Sequence, residues 1–361
     1  MLRLLASLAV THALVAPPSQ RRNTAQRAIK IVDHVNMNHE QGRHDLLKAF
    51  YFDLLGFAVD PRKIENLDKG KKTLWANAGI AQLHLPEGKP EAQPLDGRLT
   101  LAYADLDRFD EARLHAAHEA LEGTKFQMRA SADGFDVSCP WGTPMTIKID
   151  GEAADPRGVQ DGEASAPLHM TDIALHVSRG ADLDGVKRFY TRVMGVPEAD
   201  CTLVADQLLQ LKIGPAQTLS FVAKPFGKAN HAELGEDDEG RPRRGNQPVK
   251  HFSAAPSSRR GEHDSYTGRP TNGGVHISMY VDDLGACYDR ADALDLAYVN
   301  YRFKRRAHTK AEALDQCMFR VLDVVDPDAP ENGPIVQIEH EIRSCVKTDG
   351  SKYKSCPLRE V

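Results

Sequence analysis

Apolar and polar residues alternate with a period of two in short runs along the chain, and between these runs the period lengthens to that of a helix. At Ile31 to Asn38, Val35 and Met37 alternate with His34, Asn36 and Asn38, which predicts a strand with one polar face. A helix follows at Asp45 to Leu55, then closing strands at Leu74 to Ala76 and Ile80 to Leu85, the last with Gln82 and His84 on one face. A second unit reads strand Leu99 to Tyr103, helix from about Leu106 to Leu121, and strands Phe135 to Ser138 and Met145 to Ile149. A third runs from Met170 to about Lys224. The fourth has a strand at Val275 to Val281, a helix from about Leu284 to Leu296, and strands at Cys317 to Val325 and Pro334 to Glu341. The same order thus returns four times, and in units one and three the helix carries Phe-Tyr, four residues, then Gly: Phe50-Tyr51 to Gly56, Phe189-Tyr190 to Gly195. A unit of this kind cannot bury its sheet face alone, so copies are expected to pair around a shared cavity.

The stretches between units set the domain organisation. Residues 31–150 are expected to form an N-terminal domain of two units, 151–166 a polar linker, and 167–345 a C-terminal domain of two units, with 346–361 as a tail. Residues 225–272 are dense in Pro, Gly and charge without apolar periodicity, so they are expected to be a disordered insertion, a solvated loop or a lid. Residues 1–30 contain no Asp or Glu but carry Arg3, Arg21, Arg22, Arg27 and Lys30, with an apolar run from Leu4 to Ala16. That bias reads as a targeting peptide, a signal followed by a transit segment like that of an algal plastid, with a mitochondrial or secretory address as alternatives.

Charge and cysteines narrow the function classes. A net charge of -5 with both signs interspersed gives no basic stripe for nucleic acid. Past the targeting peptide no run approaches the length of a membrane span, and neither a dinucleotide-binding nor a phosphate-loop glycine motif is present. The 6 cysteines include no C-x-x-C pair and read as free thiols.

Several of these residues together make the chain resemble the vicinal oxygen chelate superfamily, which includes glyoxalase I, bleomycin-resistance proteins and type I extradiol dioxygenases. They are Asp33-His34-Val35, the two Phe-Tyr/Gly motifs, Gln82 to Gly88, His276-Ile277, and the Asp326-Pro327 turn before Ile338-Glu339. The resemblance covers almost all of residues 31–343. It implies an α+β fold of four βαβββ modules paired into two half-open barrels, with a divalent metal on a barrel floor held by His from first strands and Glu or His from last strands. Four modules in two pairs look like the extradiol dioxygenases, in which the C-terminal pair holds Fe2+ through two His and one Glu.

Within that pattern His276 occupies the first-strand ligand position of module four, and Glu339 is the carboxylate of choice on its last strand, with Gln337 on the same face as the alternative. Asp172 stands where the dioxygenases have their first His, and His176, four residues on, could substitute. In the N-terminal pair His34, Gln82 and His84 share a polar face, so His34 and His84 are secondary candidates suited to zinc, nickel or copper. Tyr280, beside His276, is the candidate proton donor or acceptor. His115 and His118 lie three apart on a helix without a carboxylate and read as a solvated face. Modules one and four keep the polar grammar of a site; two and three have largely lost it. The expected activity is metal-dependent chemistry on a small molecule with vicinal oxygens, with Fe2+, or alternatively Zn2+, Mn2+ or Ni2+, as cofactor. A metal-free binding protein of the bleomycin-resistance type is the alternative, and a homodimer is an open possibility.

Overall fold

The computed structural model describes residues 28–69, 73–88, 92–150, 164–214, 216–228, 231, 272 and 274–358. The expected targeting peptide, most of the linker and nearly all of the insertion at 225–272 lie outside these residues. Among the described residues no helix is long and apolar enough to cross a membrane.

Each module is a strand, a helix and a three-stranded meander. Module one comprises β1 (Ile29–Asn36), α1 (His44–Leu47) continuing as a π-helical segment Lys48–Leu54, β2 (Ala58–Val59), the short α2 (Ile64–Asp68), β3 (Thr73–Ala78) and β4 (Ala81–Pro86). Module two comprises β5 (Gly97–Tyr103), α3 (Glu111–Ala120), β6 (Gln127–Ser131), β7 (Gly134–Ser138) and β8 (Pro144–Ile149). Module three comprises β9 (Pro167–Ser178), α4 (Leu183–Arg192), β10 (Cys201–Val204), β11 (Leu208–Ile213) and β12 (Gln217–Lys224). Module four comprises β13 (His276–Val281), α5 (Leu284–Asp292), β14 (Ala297–Tyr298), α6 (Lys310–Gln316), β15 (Met318–Val325) and β16 (Pro334–Ser344).

The modules pair into two 8-stranded sheets, ordered β14-β15-β16-β13-β1-β4-β3-β2 and β10-β11-β12-β9-β5-β8-β7-β6. This is the α+β architecture of two half-open barrels. The pairing, however, is nested rather than sequential, and it corrects the expected N-terminal and C-terminal pairs: module one joins module four through antiparallel β1 and β13, and module two joins module three through antiparallel β5 and β9. Modules one and two, and modules three and four, meet instead through their helices. Tyr190 of α4 and His340 of β16 share a hydrogen bond of 2.7 Å, and Phe50, just after α1, lies edge-on to Phe126 of module two at 6.0 Å. The Phe-Tyr motif therefore builds the helix-to-sheet packing between neighbouring modules.

The two motif glycines close their helices by the same device. Gly56 has φ +71° and Gly195 φ +80°, the left-handed conformation that ends a helix and that L side chains disfavour. The tail is not a loose end. Tyr353 donates its backbone N–H to the Cys345 carbonyl at 2.8 Å, and Tyr353 and Cys356 are buried beside Ile31, Tyr280 and Cys345. All 6 cysteines are free thiols.

Candidate functional site

The site is assembled by rows of residues running across the sheet of modules one and four. In one row His34 of β1 faces Gln82 of β4 and Ser278 of β13, Ser278 faces Glu341 of β16, and Glu341 faces Arg320 of β15. In the next row Asn36 stands between His84 and His276, and His276 faces Glu339. A register shift in β1 between Val32 and His34 leaves Asp33 as the extra residue, so Asp33 and His34 both reach the same cavity. The cavity measures about 930 Å³ and is walled by Trp75, His84, Phe303 and Arg320, with residues 354–357 of the tail at its edge.

At the cavity floor, one ligand atom from each of His34, His276 and Glu341 falls within 4.8 Å of the other two. His34 Nδ1 is bonded to the Asp33 carboxylate at 2.9 Å, which orients the ring and leaves Nε2 free for another partner. Burial holds His34 below its ordinary pKa despite Asp33, and burial together with the neighbouring His34 and Arg320 holds His276 well below it. Both imidazoles are therefore neutral near pH 7 and carry a lone pair. For Glu341 burial works to raise the pKa, but Arg320 and Arg343 overcome it and hold the carboxyl well below the usual range. Each guanidinium pairs with one of its oxygens.

Around this floor the side chains are locked. His84 stacks on His34 at 3.6 Å between ring centroids and on Trp75 at 4.4 Å, and its Nε2 meets the Gln82 amide oxygen at 3.1 Å. Gln82 donates in turn to Asp60 and Asn77, both at 2.6 Å. Phe303 presents its edge to His276 at 5.5 Å and its face to the Arg320 guanidinium at 4.0 Å.

The residues singled out from the sequence are distributed unevenly. His276, His34 and His84 meet in this cavity. Glu339 is fully buried and its carboxylate is consumed by Asn272 at 2.9 Å, Asn300 at 2.6 Å and Arg320, so it anchors Arg320 rather than facing the two imidazoles. Gln337 lies deeper, donating to Asp323 at 2.8 Å. Asp172 belongs to the other sheet, where Ser220 donates to it at 2.8 Å and Thr218 also bonds it, and His176 pairs there with Asp96 at 3.2 Å. Nested pairing separates both from His276. The Tyr280 hydroxyl donates to the Ser355 carbonyl at 2.8 Å, and burial raises its pKa, so it fastens the tail instead of lining the cavity. His115 and His118 are solvent-exposed on α3. Glu341 escaped the sequence reading although its signal was present: it shares the face of Gln337 and Glu339, one alternation further along β16.

Comparison with known proteins gives no matching family model and no matching curated protein. Among solved structures the chain is similar to a Bacillus subtilis protein provisionally described as a dioxygenase, at 13% identity over 88% of this chain and 86% of that one, with a TM-score of 0.47. It is also similar to glyoxalase I from Zea mays, at 10% identity over 87% and 92% with a TM-score of 0.42. A third is 2,2',3-trihydroxybiphenyl 1,2-dioxygenase from Sphingomonas wittichii, at 13% identity over 88% and 90% with a TM-score of 0.28. The strand order itself establishes the paired βαβββ architecture, and the side chains define the site.

Proposed function

We propose that the cavity between modules one and four is a divalent-metal site held by His34, His276 and Glu341, and that the protein acts there on a small molecule with two vicinal oxygens. The observation that carries this reading is the convergence of two neutral imidazoles and one carboxylate within 4.8 Å. That donor set fits a metal. Two His and one carboxylate on one face leave open positions and suit Fe2+, with Mn2+, Zn2+ and Ni2+ as alternatives. The Asp33 carboxylate, bonded to His34 Nδ1, fixes the orientation of the ring as carboxylates beside ligating histidines do. A bound metal would act as a Lewis acid toward the two oxygens of the ligand. The chain's own contribution is to keep the imidazoles unprotonated, to keep Glu341 ionised through Arg320 and Arg343, and to wall the cavity with Trp75 and Phe303.

A second reading, a metal-free binding protein, is favoured by one observation: both Glu341 oxygens already accept from arginines. A carboxylate offers about four lone-pair positions, so the two readings differ in whether the remaining ones are used. The test is metal analysis of the purified protein after mild chelation and back-titration with Fe2+, Mn2+ and Zn2+. One metal per chain is expected, lost in His276→Ala and Glu341→Gln and retained in Glu339→Gln. A wild-type protein that takes up no metal overturns the first reading in favour of the second.

A further inference from the structure

The charge on the walls of this cavity is opposite to that of the chain. The protein carries a net charge of -5, yet the cavity gathers more basic than acidic side chains. Its carboxylates are all committed: Asp60 to Arg62, Asp33 to His34 and Arg343, and Glu341 to Arg320 and Arg343. Lys304, Arg305 and Lys354 also line it, and among the described residues none of the three has a carboxylate within ion-pair distance. They are exposed, so they keep their charge without a burial cost. Nor are they scattered. The Arg305 guanidinium lies over the Tyr353 ring at 5.4 Å and donates to its hydroxyl, which fastens the loop carrying Lys304 to the tail carrying Lys354. Three like charges held at one rim repel each other until an anion arrives, and a concave cavity focuses their field.

We propose that the molecule bound here is anionic: its oxygen pair sits at the floor, and a carboxylate or phosphate at its other end is taken at the rim by Lys304, Arg305 and Lys354. The cavity volume of about 930 Å³ lies toward the upper end for a small-molecule site, enough for one ligand that spans floor to rim. This assignment rests on the metal-site reading for the floor, but the rim is independent of it, and the two can fail separately.

The experiment uses a catechol bearing a propionate side chain and the methyl ester of the same molecule, which differ in one negative charge and one methyl group. Each is titrated into the full chain carrying Trp141→Phe, metal-loaded and chelated, with Trp75 fluorescence as the signal. The acid is expected to bind about tenfold more tightly than the ester at low ionic strength, the sum of a few exposed charge contacts. The advantage should shrink in high salt, where exposed charges are screened. In the Lys304→Ala/Lys354→Ala variant, which keeps Arg305, the acid should lose most of its advantage over the ester, while ester binding and metal content stay as in the wild type. Inorganic phosphate should displace the acid more readily than the ester if the rim accepts any anionic oxygen group, and a rim specific for carboxylate would leave phosphate without effect. Equal binding of acid and ester in the wild type, or an unchanged preference in the variant, overturns the proposal. A preference for the acid that persists in a protein binding no metal supports the rim assignment and overturns the metal reading instead.

Discussion

Replacing Glu341 by alanine should destabilise the module one and four barrel by about 3 to 5 kcal/mol, because it removes one partner from a buried charge cluster. Glu341 is 5% exposed, and the two guanidiniums that clamp it are 4% and 14% exposed at the side chain. After the substitution Arg320 keeps Glu339, but Arg343 is left with the Asp33 carboxylate and the Tyr280 hydroxyl, each at 3.4 Å. A guanidinium already taken out of water then keeps only the longer contact to Asp33, and the loss of its close anion dominates the small hydrophobic area given up. The same logic predicts strong coupling. Replacing Glu341 by leucine and Arg343 by methionine together removes both charges, so the double variant should lose at least 2 kcal/mol less than the two single losses added.

Urea unfolding in the presence of chelator is the suitable assay, since a metal bound only to the folded state would add its own contribution. The chain has 2 tryptophans, so a Trp141→Phe background leaves Trp75, stacked in the cavity, as the sole fluorescent reporter. A cost below about 1 kcal/mol for Glu341→Ala would refute the reasoning, because that is the range of a solvent-screened pair. Additive single losses would refute it as well, since they would mean that the guanidinium of Arg343 does not depend on Glu341.

Three further outcomes are expected. Burial pushes the His39 pKa down to about 4, with His44 adding to the shift and Glu87 opposing it. Because that value lies below the unfolded value of about 6.5, its stabilising share is complete above pH 6.5 and is lost as pH falls toward 4, roughly 2 kcal/mol by pH 5. The urea midpoint of His39→Gln should therefore depend less on pH between 7 and 5 than that of the wild type, and parallel profiles would refute the assignment. An added Cβ at Gly195 meets the flexible end of Arg290 at 3.2 Å and the Ala28 Cβ at 3.5 Å, an ordinary contact, so Gly195→Ala should cost about 1 kcal/mol, mostly from its backbone conformation. At Gly56 the Cβ would lie 2.3 Å from Arg108, which caps the carbonyls of Phe52, Asp53 and Leu54, so Gly56→Ala should cost more, and the reverse order in thermal unfolding would refute this. Finally, Arg188 joins α4 to the turn before β16 through a bidentate pair with Asp326, both contacts at 2.8 Å. Arg188→Ala should cost about 1 kcal/mol and Arg188→Lys nearly as much, because lysine cannot reproduce the fork, a difference that calorimetric melting can measure.

The parts of the molecule visible in the sequence are those fixed by local periodicity. Alternation within β13 placed His276, Ser278 and Tyr280 on one face, and alternation within β16 did the same for Gln337 and Glu339, because side-chain direction in a strand needs no knowledge of the partner. The positive-φ glycines that end the Phe-Tyr helices were equally local. What remained hidden was register between distant strands. Choosing Glu339 over Glu341 turns on which residue of β16 lies in the row of His34, and that row is set by the pairing of β1 with β13 across more than 240 residues, including the shift at Asp33.

Register and pairing together also explain why two of the candidate ligands, Asp172 and His176, lie in a different sheet from His276. Sequential pairing would place Asp172 beside His276 and turn His34 toward the partner strands of module two. Nested pairing does the reverse: it sets Asp172 against Thr100 and Thr218 in the second sheet and joins the polar face of module one to that of module four. The clue lay in the unequal faces. Buried His, Asp and Glu are tolerated only where they satisfy one another or a ligand, so a face carrying His34 and His84 demands a partner with complementary polar groups. Among the other three modules, only module four offers a first-strand His with a last-strand carboxylate row, and Arg320 and Arg343 to hold that row ionised. Polar complementarity between faces, which composition within each module reveals, was therefore a better guide to pairing than order along the chain.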